Sequence, residues 1–321
     1  MKATFRILFV LSSCLSASTG PGFAQSCSFG FTDVAFGSVD VTTGGTYDTT
    51  GTFSANCTGN SLSTIRICPH IGAGSGGAGA NGSPRTMLKG GDSLNYNLYK
   101  DSSHTAVWGS YLTGWSATPP QIDLSLNALG SGSVSTTVYG RVAGSQSTAA
   151  VGSYSSSFTS ADVKVRYAYV SAADCSTIDA TRESSPAFAS TATVQARCTV
   201  SATNLNFGTT GVIASAQDAT NTISVVCTRD AGYKIALGAG LNDGGLGVGA
   251  RKMKAGSEAI SYQLYQDSGR TLVWGNTVNV DTKNGTGTGG TDNHTVFGRV
   301  PPQTTPSPGT YTDTVVVTIE Y

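Results

Sequence analysis

Charge is scarce in this chain. Of 321 residues only 12% are Asp, Glu, Lys or Arg, and the 19 cations balance the 19 anions. A neutral, sparsely charged chain has no field with which to recruit nucleic acid or an anionic membrane. Glu stands only at Glu183, Glu258 and Glu320. Long helices draw on Ala, Leu, Glu and Lys together, so they are not expected, and a paired-carboxylate glycosidase would have to rely on Asp. The Asp residues at Asp101, Asp243 and Asp267 sit in predicted turns, where they cap backbone groups. His70, His104 and His294 are scattered, away from any His or Cys at metal-ligand spacing, and no G-x-S-x-G nucleophile elbow occurs. The glycine-rich tract 72–82 does not lead from a strand into a helix, so it is not a phosphate loop. Catalysis, a metal and a cofactor are therefore not expected. Past the N-terminus no segment is apolar enough to cross a membrane.

What the chain does contain, it contains twice. Cys27 precedes Phe36-Gly37 by nine residues, and Cys198 precedes Phe207-Gly208 by nine. Tyr96-Asn97-Leu98-Tyr99 leads to Val107-Trp108-Gly109, as Tyr262-Gln263-Leu264-Tyr265 leads to Val273-Trp274-Gly275. Tyr139-Gly140-Arg141-Val142 is answered by Phe297-Gly298-Arg299-Val300, and Gly152-Ser153-Tyr154 by Gly309-Thr310-Tyr311. Such a long period means two copies of one domain, not a solenoid. Trp108 and Trp274 match between copies and are expected in the cores.

Residues 1–24 read as a secretory signal: Lys2 and Arg6 flank a short apolar core, and Gly22-Phe23-Ala24 supplies small residues for cleavage before Gln25. Leu11-Ser12-Ser13-Cys14 offers a rival lipoprotein box behind a shorter apolar core. Without the signal six Cys remain, an even number that suits an oxidising compartment. The duplication pairs Cys27 with Cys57 and Cys198 with Cys227, leaving Cys68 to pair with Cys175.

Short alternating runs of Val, Thr, Tyr and Ile between glycine-rich turns predict an all-β chain. In the last run, Val315, Val317, Ile319 and Tyr321 share one face, and Val316, Thr318 and Glu320 the other. Residues 162–169 alternate likewise. Further strands are expected at 222–228, 233–237, 260–266 and 271–274, at spacings that fit a β-sandwich. The domains are placed at residues 25–182 and 183–321. The first copy is longer by the tract 72–82 and the stretch 111–132.

The two Cys pairs, Asn204-Leu205-Asn206-Phe207-Gly208, Tyr262-x-Leu264-Tyr265, Val273-Trp274-Gly275, the Gly-Arg-Val motif ending at Val300 and Gly309-Thr310-Tyr311 together resemble the spore coat protein U family, which includes the pilins of archaic (Csu-type) chaperone–usher pili. The resemblance implies two tandem immunoglobulin-like, pilin-type sandwiches, the second lacking its final strand. It implies partners too: a periplasmic chaperone, an outer-membrane usher, and an adjacent pilin whose donor strand fills the open edge at Val315, Val317, Ile319 and Tyr321. The predicted mature chain has only Gln25 and Ser26 before its first Cys strand, so it is expected to accept a strand and not to donate one. Two-domain members in that position look like tip adhesins, acting in surface attachment and biofilm formation.

Residues 188–196 lie where a donor strand would lie. Phe188, Ala192, Val194 and Ala196 share a face that either completes the first domain in cis or belongs to an ordinary linker. Binding to an abiotic or host surface is expected through Tyr111, Leu112, Trp115, Pro119, Ile122 and Leu129, of which Tyr111, Leu112 and Trp115 are the better candidates. The alternation of Ile122, Leu124 and Leu126 favours a core reading for those three. A structural shaft or coat protein and a carbohydrate-binding module are the alternative functions.

Overall fold

A computed structural model describes residues 25–169 and 173–321. The expected signal segment, with the Leu11–Cys14 box, lies outside them. The chain is nearly all β, as two tandem sandwiches. The first is built from β1 (Ser26–Phe31), β2 (Val34–Val39), β3 (Tyr47–Thr58), β4 (Thr64–Ile71), β5 (Arg85–Lys89), β6 (Asp92–Tyr99), β7 (Ile122–Ser125), β8 (Ser131–Val142), β9 (Gly152–Phe158), β10 (Val163–Ala168), β11 (Glu183–Ser184) and β12 (Phe188–Val194). One sheet runs β1-β3-β8-β6-β5-β9-β12-β2 and the other β11-β10-β4-β7. The second sandwich contains β13 (Cys198–Ala202), β14 (Gln217–Cys227), β15 (Gly232–Leu237), β16 (Lys252–Ala255), β17 (Glu258–Ser261), β18 (Gln263–Tyr265), β19 (Lys283–Thr286), β20 (Thr291–Val300) and β21 (Val317–Glu320). Its sheets run β13-β14-β20-β18 and β19-β15-β21, with β16 and β17 as a separate hairpin. Among the described residues no helix is long and apolar enough to cross a membrane.

Alternation decides which face is buried. In β3, Gly51, Phe53, Ala55 and Cys57 point inward while Thr50, Thr52, Asn56 and Thr58 face outward or part-way out. Trp108 and Trp274 are wholly buried. Each donates its indole N–H to a backbone carbonyl, Trp108 to Pro69 at 2.7 Å and Trp274 to Ile235 at 2.9 Å. These matched bonds align β4 with β15.

All three expected disulfides form. Cys27–Cys57 and Cys198–Cys227 join residues directly opposite each other on antiparallel strands, with Cα atoms 4.1 Å apart in both. Cys68–Cys175 ties β4 to the stretch after β10.

A second matched pair is a buried arginine. Arg85 donates to the carbonyls of Gly72, Ile71 and Trp108 and to Asn97 Oδ1; Arg251 donates to those of Gly238, Leu237 and Trp274 and to Gln263 Oε1. Neither meets a carboxylate in these bonds. Burial pulls the Arg85 guanidinium down to about 10, so the cation persists at neutral pH. Each guanidinium gathers carbonyls that no ladder satisfies and thereby ties together three segments of chain.

Two expectations need correction. Residues 271–274 form only an isolated bridge, Val273 to Tyr265, because Thr271 and Leu272 turn their amides to the Asp267 carboxylate. The 260–266 strand breaks at Tyr262, whose N–H goes to the Arg251 carbonyl. Residues 183–194 hydrogen-bond within the first sandwich: β11 pairs with β10, and β12 pairs with β9 and β2. Exposed backbone edges recruit whichever strand is nearest, and here that strand is the linker.

Candidate functional site

The occupied slot in the first sandwich explains the vacant one in the second. β12 runs antiparallel to β9, from Phe188 opposite Phe158 to Val194 opposite Gly152, and parallel to β2. Phe188, Ser190, Ala192 and Val194 are buried, whereas Thr191 and Thr193 face outward. Phe188 stacks on Phe158 at 4.3 Å between ring centroids and on Phe31 at 4.9 Å. Of the two readings of this segment, residues 188–194 take the cis packing, whereas Ala196 packs on the second core.

In the second sandwich the counterpart of β2 is Leu205–Thr210 and that of β9 is Gly309–Val315. Residues 204–211 make no backbone–backbone hydrogen bond among the described residues, and 309–315 make only the bridge between Thr312 and Lys254. That bridge matches the pairing of Leu88 with Ser155 in the first sandwich. Among the described residues no strand lies between the two segments. Two confluent cavities of about 550 and 560 Å³ open there, sharing Leu205, Phe207, Met253 and Tyr311.

Burial registers the vacancy residue by residue. Val34, Leu94, Phe158, Val163 and Val165 are fully buried in the first sandwich, and Phe36 nearly so. Their counterparts Leu205, Ile260, Val315, Val317, Ile319 and Phe207 are only partly buried. Among the described residues the second domain thus has no strand in the place that β12 fills in the first. Of the expected edge residues, Val315 and Val317 line the groove, Ile319 is half-buried in β21, and Tyr321 is exposed. One polar feature sits in the groove: Tyr262 donates its hydroxyl to Asp313 at 2.6 Å, and burial together with that bond pushes the phenol upward, so it stays protonated.

The candidate surface residues are divided by the fold. Tyr111 and Leu112 lie on a short 3-10 turn, Tyr111–Thr113, whose Leu112 N–H is capped by Ser110 Oγ. They are 40% and 43% exposed. Tyr111 rests edge-on against the buried His70, whose imidazole burial pulls down to about 4. Trp115 is half-buried over Gly82, where a Cβ would meet its ring at 2.5 Å, and Arg85 lies 5.4 Å from the ring centre. Pro119 is buried and Ile122 packs on the core at the start of β7, so neither is available to a surface. Leu124 and Leu126 are core.

Leu129 is 78% exposed, on a separate turn. Beside it stands a residue that sequence reasoning passed over: Leu62, 77% exposed, whose N–H bonds to Asn127 O. A lone leucine in the polar run Gly59-Asn60-Ser61-Leu62 was the available signal. These two turns close one end of β3 and β8, where Thr58 pairs with Ser131. At the other end Tyr47 pairs with Val142, and the loop after Val142 touches the second sandwich through Val151 N–H and Arg229 O. β3 is 12 residues long, so roughly 40 Å separates its ends.

Three solved structures are similar to this chain over nearly its whole length. One is the CsuC–CsuE chaperone–tip adhesion subunit pre-assembly complex from archaic chaperone–usher Csu pili of Acinetobacter baumannii: 14% identity, TM-score 0.48, 92% of this chain and 100% of that chain. The CupB6 tip adhesin from Pseudomonas aeruginosa is 11% identical, TM-score 0.39, over 92% of this chain and 95% of that one. A chaperone–tip adhesin complex of CFA/I fimbriae biogenesis is 12% identical, TM-score 0.31, over 90% and 94%. No curated protein matches the sequence. The Spore Coat Protein U domain model matches twice, over residues 11–161 and 185–318, and the chain belongs to that family.

Proposed function

We propose that the chain is a two-domain, tip-type adhesin subunit of a chaperone–usher pilus, exported through the periplasm and displayed outside the cell. The supporting observation is the contrast between two copies of one fold. The first is closed by residues 188–194 of its own chain, and the second keeps the equivalent slot open. A closed first sandwich offers no slot to a partner, so assembly proceeds through the second. A periplasmic chaperone covers the open slot first, and a donor strand from the adjacent pilin replaces it at the usher, by main-chain pairing and alternate side-chain insertion.

The first sandwich is then free to meet an abiotic or host surface. Its exposed apolar turns, Tyr111-Leu112 and Leu62 with Leu129, are the contacts this reading assigns. Immunogold labelling of purified fibres tests it: label is expected at one end of each fibre, and label spaced along the shaft would overturn the tip role in favour of a structural subunit. Substituting Leu62 and Leu129 by Ser is expected to leave fibres assembled while reducing attachment to plastic.

A further inference from the structure

The linker that closes the first sandwich docks in two places. Before β12 fills the slot, β11 adds to the outer edge of β10, with Glu183 opposite Arg166 and Ser184 opposite Val165. Ser185, Pro186 and Ala187 then carry the chain across to the other sheet. One arm thus covers an edge in each sheet. Both contacts are specific: Glu183 is held by Lys164 Nζ at 2.9 Å and by Arg166 Nε at 2.9 Å. Against the upward pull of burial, these cations keep its carboxyl below the usual range.

The second sandwich has both places, and among the described residues neither is occupied. β21 is the counterpart of β10, because Val163 pairs with Ile71 as Val317 pairs with Leu237. Thr318, Ile319 and Glu320 therefore stand where Lys164, Val165 and Arg166 stand. β21 is at the edge of its sheet, paired only with β15. The charge at the docking point is reversed: Arg166 is replaced by Glu320, which is exposed and has no ion pair among the described residues. On its inner side Glu320 stands directly opposite Lys234 of β15, so only its outer side is open.

We infer that the strand accepted by the second sandwich comes with an upstream cationic residue that pairs beside β21 opposite Glu320. The inference rests on the strand-acceptor reading and specifies the partner. By the spacing from Glu183 to Phe188, that Lys or Arg stands five positions before the first side chain buried in the slot. The same reversal excludes a wrong partner. An arm like this chain's own would set Glu183 against Glu320, which disfavours closure of one copy by another.

Fluorescence anisotropy with labelled peptides and the full chain tests this. The probes are residues 181–196 in native sequence, the same peptide with Glu183→Lys, and the shorter 186–196, which lacks the upstream segment. The lysine peptide is expected to bind about threefold to tenfold more tightly than the native one, the scale of changing a like-charge cross-strand pair to an unlike one. On a Glu320→Lys chain the order reverses, while 186–196 binds both chains equally. Equal binding of the two long peptides to both chains overturns the upstream pairing and leaves the acceptor slot standing. Failure of all three to bind either chain overturns the acceptor reading, and the upstream pairing with it.

Discussion

Arg85 and Arg251 show how much one residue type carries in a chain this poor in charge. Each replaces a missing ladder by four or five donated hydrogen bonds in a site closed to water. Removing one leaves buried carbonyls without donors, which is expensive because the desolvation cost of each remains. Arg251→Ala is expected to destabilise the second sandwich by about 3–5 kcal/mol. Denaturant unfolding should then separate into two steps, the early one belonging to that domain. A single unchanged transition would contradict this role. The pair was not legible beforehand, since an isolated Arg after a glycine-rich tract looks like an ordinary surface cation. The tryptophans and cysteines were legible, because few positions suit those residues and the duplication repeats them in place. Pro119 was a surface candidate, yet the loop folds it inward, and of the two readings of Ile122 the core one holds; exposure depends on neighbours that lie far away in sequence.

At the scale of elements, β12 is the strand that matters most. Its alternation was visible, but alternation tells which face is buried and not against what. Hydrogen bonding to both β9 and β2 decides that. Phe188 anchors it, stacked between Phe158 and Phe31. Phe188→Ala removes that stack and opens a cavity, so the first sandwich should lose about 3–5 kcal/mol. Amide exchange of β9 should accelerate in parallel, as its partner strand detaches more often. Exchange that speeds equally in β14 and β20 of the second sandwich would argue against a local effect. Strands that alternate over many residues, such as β3, β8 and β14, were legible from pattern. The expected strand at 271–274 was not one, since an Asp side chain captured its amides in competition with the ladder.

At the scale of the whole molecule, Arg229 bridges the two sandwiches beside Val151, which packs on the second core. Its side chain reaches from the second domain to Asp92 and to the Thr148 carbonyl of the first, and its own carbonyl accepts from Val151 N–H. Contacts of this kind set orientation more than stability. Arg229→Ala is therefore expected to broaden the distribution of interdomain distances while each domain unfolds within about 0.5 kcal/mol of its usual free energy. Small-angle scattering with calorimetry on the same variant checks both halves. The amino-acid sequence by itself determined the duplication, the all-β character, the three disulfides and the positions of the core tryptophans, because these follow from local period and from residue types with few acceptable environments. Only the tertiary structure decided that the linker closes the first sandwich, that the matching slot of the second stands open, and which apolar loop residues remain outside. Those outcomes depend on which backbone edges come within hydrogen-bonding reach of one another, and that is a property of the packed sheets.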